Sequence, residues 1–224
     1  MGIVTWSRAA MVACLCLISA AAYAEEPREF SSAGWTWFGG YEPKTPQSLL
    51  EIPEPVRARL MSHLSSRLGE GFLARLEFTG GQIIDFAELR RVNPGSRDYQ
   101  WEVPAYILHF AFKMPEAGIA SYTSQISLRS DGSVLEEIGL PNFIASPGKL
   151  VLIPLSEALD IAVLRGFARD QTHVDLRYDE KAGSMVWTIE QKVADDGVVI
   201  DFTTIDVSAH TGEVLRVYAS DAIR

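Results

Sequence analysis

The chain has 224 residues, 47% of them hydrophobic and 22% charged, with 20 basic and 29 acidic side chains for a net charge of −9. That length suits one or two globular domains with real cores. The acidic balance argues against nucleic acid or anionic lipid as a partner and fits solubility or a basic partner, solubility being the simpler account.

Arg8, the apolar run Ala9 to Ile18 and the sequence Ala22-Tyr23-Ala24 come first. They are the charged start, hydrophobic centre and small-x-small cleavage site of a secretory signal. The run is too short to span a bilayer comfortably. Residues 1–24 are therefore expected to be removed and the protein to be periplasmic or secreted, with no transmembrane segment left after cleavage. Both cysteines, Cys14 and Cys16, leave with the signal. Disulfides, thiolate nucleophiles and thiolate metal sites are then excluded from the mature chain. Arg8 leaves too, so 19 basic face 29 acidic residues, a net charge of 19 − 29 = −10.

Residues 25–50 form a polar segment punctuated by Gly and Pro, yet it carries Trp35, Trp37, Phe38 and Tyr41. So many aromatics are seldom left disordered. The segment either lies across the domain and covers an apolar patch, as aromatics bury themselves where they can, or serves as an adhesive arm for a partner.

Pro53-Glu54-Pro55 introduces a helix with Val56, Leu60, Leu64 and Leu68 at every fourth position and Gly69 just past its end. The alternation of Phe72, Ala74, Leu76 and Phe78 predicts a half-buried strand, broken by Gly80-Gly81. Tyr106, Leu108, Phe110 and Phe112 alternate again, Ile119 to Leu128 reads as a strand, and Ser130-Asp131-Gly132 turns into Val134-Leu135. Ser146-Pro147-Gly148 is a linker. Ser156-Glu157-Ala158-Leu159 then opens a second helix with a hydroxyl cap, and Leu159, Ala162, Val163, Gly166 and Phe167 follow at helical spacing. Three strands follow over Val174–Tyr178, Met185–Val193 and Val198–Val207. Asp195-Asp196-Gly197 joins the last two, and His210-Thr211-Gly212-Glu213 turns into a final strand, Val214–Tyr218.

The order helix then strands occurs twice. Lys113 to Gly118 matches Lys192 to Gly197 at an offset of 79, Gly132-Ser-Val-Leu135 matches Gly212-Glu-Val-Leu215 at 80, and Leu76 and Phe78 match Leu176 and Tyr178 at 100. The offsets differ by 21, so the first unit carries an insertion of that size near residues 81–101. Periodicity leaves its start open between an added strand and a short helix. The expected organisation is a signal (1–24), an aromatic segment (25–50), unit 1 (51–145) with its insertion, and unit 2 (149–220).

Unit 2 resembles the PepSY family, the domain of secreted metallopeptidase propeptides and other cell-envelope proteins. The resemblance rests on the Leu-Ser-x-x-Ala helix opening at Leu155, the early tryptophan of Val186-Trp187, and the closing Val207-Ser-Ala-His-Thr-Gly-Glu-Val-Leu215. Ser208 stands where that family usually has an aspartate four residues before the glycine. Unit 1 departs further, with Leu128 in that place. The resemblance implies an α+β fold of two tandem cystatin-like, PepSY-like units, each a helix packed on an antiparallel meander. It implies protein or peptide binding in the envelope, with modulation of a peptidase as one form, and supplies no catalytic residue.

The residues themselves offer little chemistry. His63, His109, His173 and His210 are scattered, without His-x-x-x-His spacing, so no metal site is expected. No nucleophile elbow, phosphate loop or dinucleotide pattern occurs, so no catalytic residue and no cofactor are expected. Glu136-Glu137, Asp179-Glu180 and Asp195-Asp196 read as solvated turn acids. Gln191-Lys192-Val193-Ala194-Asp195-Asp196-Gly197 is similar to the Gln-x-Val-x-Gly wedge of cystatins but has two extra residues before its glycine, and an ordinary acidic hairpin is the simpler account. The rival to a binding protein is an enzyme or small-ligand carrier using the cone of a curled sheet. Thr188 and Glu190 alternate there with Trp187 and Ile189 without revealing which face is concave. The candidate partner-binding residues are the rings added to the repeating plan: Trp35, Trp37 and Tyr41 in the arm, and Tyr99 and Trp101 in the insertion.

Overall fold

The computed structural model describes residues 25–95 and 102–223. The segment expected to be a signal, residues 1–24, and Tyr99 and Trp101 lie outside the described residues. Among the described residues the fold is α+β, with two sheets and four α-helices.

The first sheet is entered through α1 (Glu54–Leu68), whose Val56, Leu60, Leu64 and Leu68 are all buried, as their spacing predicts. Gly69 ends it with a positive φ of 77°, which a residue with a Cβ adopts only under strain. Here the structure departs from the predicted strand. The chain recoils into one further turn, α2 (Glu70–Leu73), which buries Phe72 from a helix. Strand β2 begins only at Glu77 and runs to Ile83, straight through Gly80-Gly81. The glycines bulge the strand rather than end it, with φ of 130° and 148°. A Cβ on Gly81 would sit 2.1 Å from the Ile107 carbonyl oxygen. Glycine is thus what lets β2 lie against β3 (Tyr106–Met114) at this point.

β3 pairs antiparallel with β4 (Ile119–Leu128), and β5 (Val134–Glu136) pairs with the far side of β4. That same side also receives β1 (Arg28–Ser31), which joins in parallel. Tyr106, Leu108, Phe110 and Phe112 of β3 face the core shared with α1. The opposite face of β3 is buried as well, by a second apolar cluster of Phe38, Tyr41, Ile84, Leu89 and Ile107. The segment expected to be an insertion supplies part of that cover through Ile84 and Leu89. It completes β2 and then forms α3 (Phe86–Val92), capped by Asp85, whose carboxylate accepts from the backbone N–H of Ala87 and Glu88.

The second sheet is a meander in the order β6 (Thr172–Asp179), β7 (Ser184–Asp195), β8 (Val199–Ser208), β9 (Val214–Ile223). Helix α4 (Leu155–Val163) packs on β7. It starts behind Pro154 with no side-chain cap, not on a Ser156 hydroxyl. It also stops earlier than the spacing predicts, because Gly166 turns with φ 93°. The Phe167 N–H then donates back to the Ala162 carbonyl, which folds Phe167 into the core. β9 is five residues longer than the predicted Val214–Tyr218.

Helices α1, α2 and α4 and both sheets contribute to one continuous buried cluster. The joint is made by Phe30 of β1, whose ring meets Trp187 of β7 edge-on at 5.4 Å. Around it, Arg67 donates to the Leu140 carbonyl and to the Tyr178 hydroxyl, and Arg169 pairs with Glu25 at 3.2 Å.

Candidate functional site

The aromatic segment is fixed to the outer face of the first sheet by polar side chains that point out of the strands. The Gly34 N–H donates to the Gln125 amide oxygen at 2.9 Å. The Gln82 amide closes a two-way pair with the backbone of Thr36, at 3.0 and 2.9 Å. These contacts explain why Gln82 is 97% buried on a strand face that alternation alone would assign to water. Phe38 and Tyr41 then plug the apolar cluster beside α3, and the Tyr41 hydroxyl accepts from the Asp85 backbone N–H at 2.7 Å.

With both ends of the turn anchored, the two tryptophans are left outside. Trp35 is 64% exposed and Trp37 81%. Trp35 meets the sheet through an edge contact with His109, centroids 5.2 Å apart. The two readings of the arm thus divide residue by residue. Tyr41 and Phe38 cover apolar surface, whereas Trp35 and Trp37 are large rings presented to solvent from a fixed backbone. Tyr99 and Trp101 lie outside the described residues; of the other three candidates, Trp35 and Trp37 are exposed and Tyr41 is buried apart from them in the apolar cluster.

A cleft of about 790 Å³ lies between the sheets. Ser32, Ser124, Arg67, Tyr178 and the acids Glu136, Glu137 and Glu180 line it. Its floor is a hydroxyl relay. The Tyr122 hydroxyl donates to Ser32 at 3.0 Å, Ser32 meets Ser124 at 3.3 Å, and the Gly139 N–H donates to Ser124 at 2.9 Å. Burial pushes the Tyr122 phenol up to about 12, only partly opposed by its bond to Ser32. It stays protonated and acts as a donor, which suits a structural role rather than that of a base.

Sequence reasoning missed the best-built polar cluster. Asp206 lies in the apolar run Ile205-Asp206-Val207 and is fully buried on the face of the second sheet opposite α4. Its carboxylate accepts from Arg177 at 2.6 Å, from the Thr188 hydroxyl at 2.8 Å, and from Arg216. Arg216 in turn stacks 5.2 Å above the Tyr218 ring. The signal was present: Thr204, Asp206 and Ser208 alternate with Ile205 and Val207, marking the polar face of β8. Thr188 belongs to this face, and Trp187 and Ile189 face the core.

The histidines do not converge, and among the described residues no group of three or more metal-binding side chains comes together. His210 instead staples the closing hairpin. Its Nε2 accepts from the Met185 N–H at 3.0 Å, and its Nδ1 lies 3.2 Å from the Val151 carbonyl. This pattern requires the neutral ring with its proton on Nδ1. Burial lowers the pKa of His210, and the charge of Lys149 adds to the effect. A histidine that titrates lower when folded resists protonation, so its contribution is complete above about pH 6.5, the unfolded value. It is lost as the pH falls from there towards the lowered folded value. Burial lowers His109 in the same direction. Urea midpoints measured at pH 7.5 and 5.5 should therefore drop on acidification, and by less in His210→Ala than in the parent protein.

No protein-family model matches the chain, and no curated protein and no solved structure matches it. Among the described residues no helix is long and apolar enough to cross a membrane.

Proposed function

We propose that this is an exported, non-catalytic binding protein built of two tandem PepSY-like, cystatin-like units, which captures a protein or peptide in the cell envelope, a peptidase being one such partner. The tandem reading is supported by the recurring order, α1 then β2 to β5 and α4 then β6 to β9. The binding reading is carried by one observation: Trp35 and Trp37 are mostly exposed on an arm whose backbone is held by Gln82 and Gln125. Exposed rings on a fixed backbone bind at low entropic cost, and such anchors often carry about 2 kcal/mol or more each. A small-ligand reading has the inter-sheet cleft in its favour, although that cleft is polar and acidic rather than apolar.

The test is capture from envelope extract by the immobilised parent protein and by Trp37→Ala. An exposed ring contributes little to folding, so the melting temperature should hold. Capture should weaken by about thirtyfold, the equivalent of 2 kcal/mol. An unchanged capture profile with an unchanged melting temperature would remove the arm from the binding surface.

A further inference from the structure

The far end of the second sheet is built unlike the rest of the molecule. From Gln191 in β7, through residues 199–203 of β8, to the end of β9, almost no side chain is buried on either face. Among the described residues β9 bonds only to β8, which leaves its other edge open over ten residues. In the first sheet the outer side of β4 is closed by β1 and β5. Long open edges carrying apolar side chains invite strand addition. β9 exposes Leu215, Val217 and Ile223, the last at 78%.

A second feature says what kind of strand would fit. Asp201 and Asp221 stand directly opposite one another on β8 and β9. The register is unbroken from Val199↔Ile223 to Asp206↔Arg216, so both carboxylates lie on the face that carries Ile205 and Val217. Like charges directly opposite on neighbouring strands are destabilising. Among the described residues no salt bridge reaches either of them: Lys192 is taken by Asp195, and Arg216 is on the other face with Asp206. The flanking positions on the same face are apolar or neutral, Val199 and Ile223 on one side and Thr203 and Ala219 on the other.

A second copy of this chain cannot supply the missing cation by pairing β9 with β9 about a two-fold axis. Paired residues in a sheet share a face. Any such register therefore sets Asp221 against an odd-numbered residue, and these are Leu215, Val217, Ala219, Asp221 and Ile223. None is basic.

We infer that the open edge of β9 takes up an extended segment of another polypeptide, one with apolar side chains towards the α4 side and a Lys or Arg beside the Asp201–Asp221 pair. This surface lies on the other sheet from the tryptophan arm, and its failure would leave that reading standing.

The probe is a fluorescein-labelled, end-capped heptapeptide, Thr-Val-Thr-Lys-Thr-Val-Thr, titrated with the purified protein and followed by anisotropy at low salt. It should bind about tenfold tighter than the same peptide with Glu for Lys, a difference that shrinks as salt is added. Asp221→Lys, which supplies Asp201 with a partner inside the protein, should cancel the preference; Trp37→Ala should leave it intact. The inference is overturned if neither peptide binds, if both bind alike, or if the preference survives Asp221→Lys. It is equally overturned if sedimentation shows a dimer whose formation protects the β9 amides from hydrogen exchange, which would give the edge to a second copy.

Discussion

Trp187→Ala is expected to destabilise the protein by about 3–5 kcal/mol, the range for deleting a large aromatic from a closed core. Trp187 is fully buried, and its indole N–H donates to the Ile153 carbonyl at 3.3 Å. The loss has three parts. The ring's own burial disappears, the edge contact with Phe30 is broken, and the Ile153 carbonyl loses its donor. Because Phe30 belongs to a strand of the first sheet, the cavity opens at the joint between the sheets. Chemical denaturation of the variant should show a lower midpoint. Limited proteolysis should cut first near residue 30, where β1 has lost the ring it leans on. A variant that melts within about 1 kcal/mol of the parent would mean that the cluster closes over the gap without strain.

Asp206→Ala should cost about 2–3 kcal/mol, less than the 3–5 kcal/mol usual for breaking a fully buried ion pair. Both arginines are partly exposed, Arg216 by about half, and can turn their guanidinium groups to water. Thr188 cannot follow them so easily, because it is held mid-strand on β7. A double-mutant cycle between Arg177→Ala and Asp206→Ala would separate the pair from the rest of the network. Asp206→Asn keeps the shape but removes the charge that two arginines share, and should fall between the parent and the alanine variant. Equal stability of Asp206→Ala and the parent would show that the cluster holds nothing together.

Most of the architecture was legible because the chain writes its buried faces as periodicities. The four-residue repeat of α1 and the alternation in β3, β7 and β8 give elements whose boundaries the structure moves by only one or two residues. The misreadings have local physical causes. Phe72 to Phe78 alternates like a strand, but Gly69 permits a sharp recoil, and one extra helical turn buries Phe72 equally well. Gly80-Gly81 looks like a break, since glycine usually ends a strand, whereas here it allows close approach to the Ile107 carbonyl. The site was less legible. That Tyr41 would be buried and Trp37 exposed depends on where Gln82 and Gln125 point, on strands 46 and 91 residues beyond the arm residues they hold. No window of sequence contains both partners. Asp206 escaped notice for a related reason: a charge in an apolar run signals a buried pair only once Arg177 and Arg216 are known to flank it.

The parallel pairing of β1 with β4 has a kinetic side. Phe30 and Trp187 touch across 157 residues of chain, and β1 finds its strand partner about 90 residues downstream. Contacts that close such long loops form late, because the chain must surrender the entropy of everything in between before it gains them. β1 is thus among the last elements to be locked in. Under the export proposed above, a strand near the N-terminus that docks late suits a chain that has to stay unfolded while it crosses a membrane. The shared core cannot close until β7 is available, so β1 stays slack until the strands far downstream have formed.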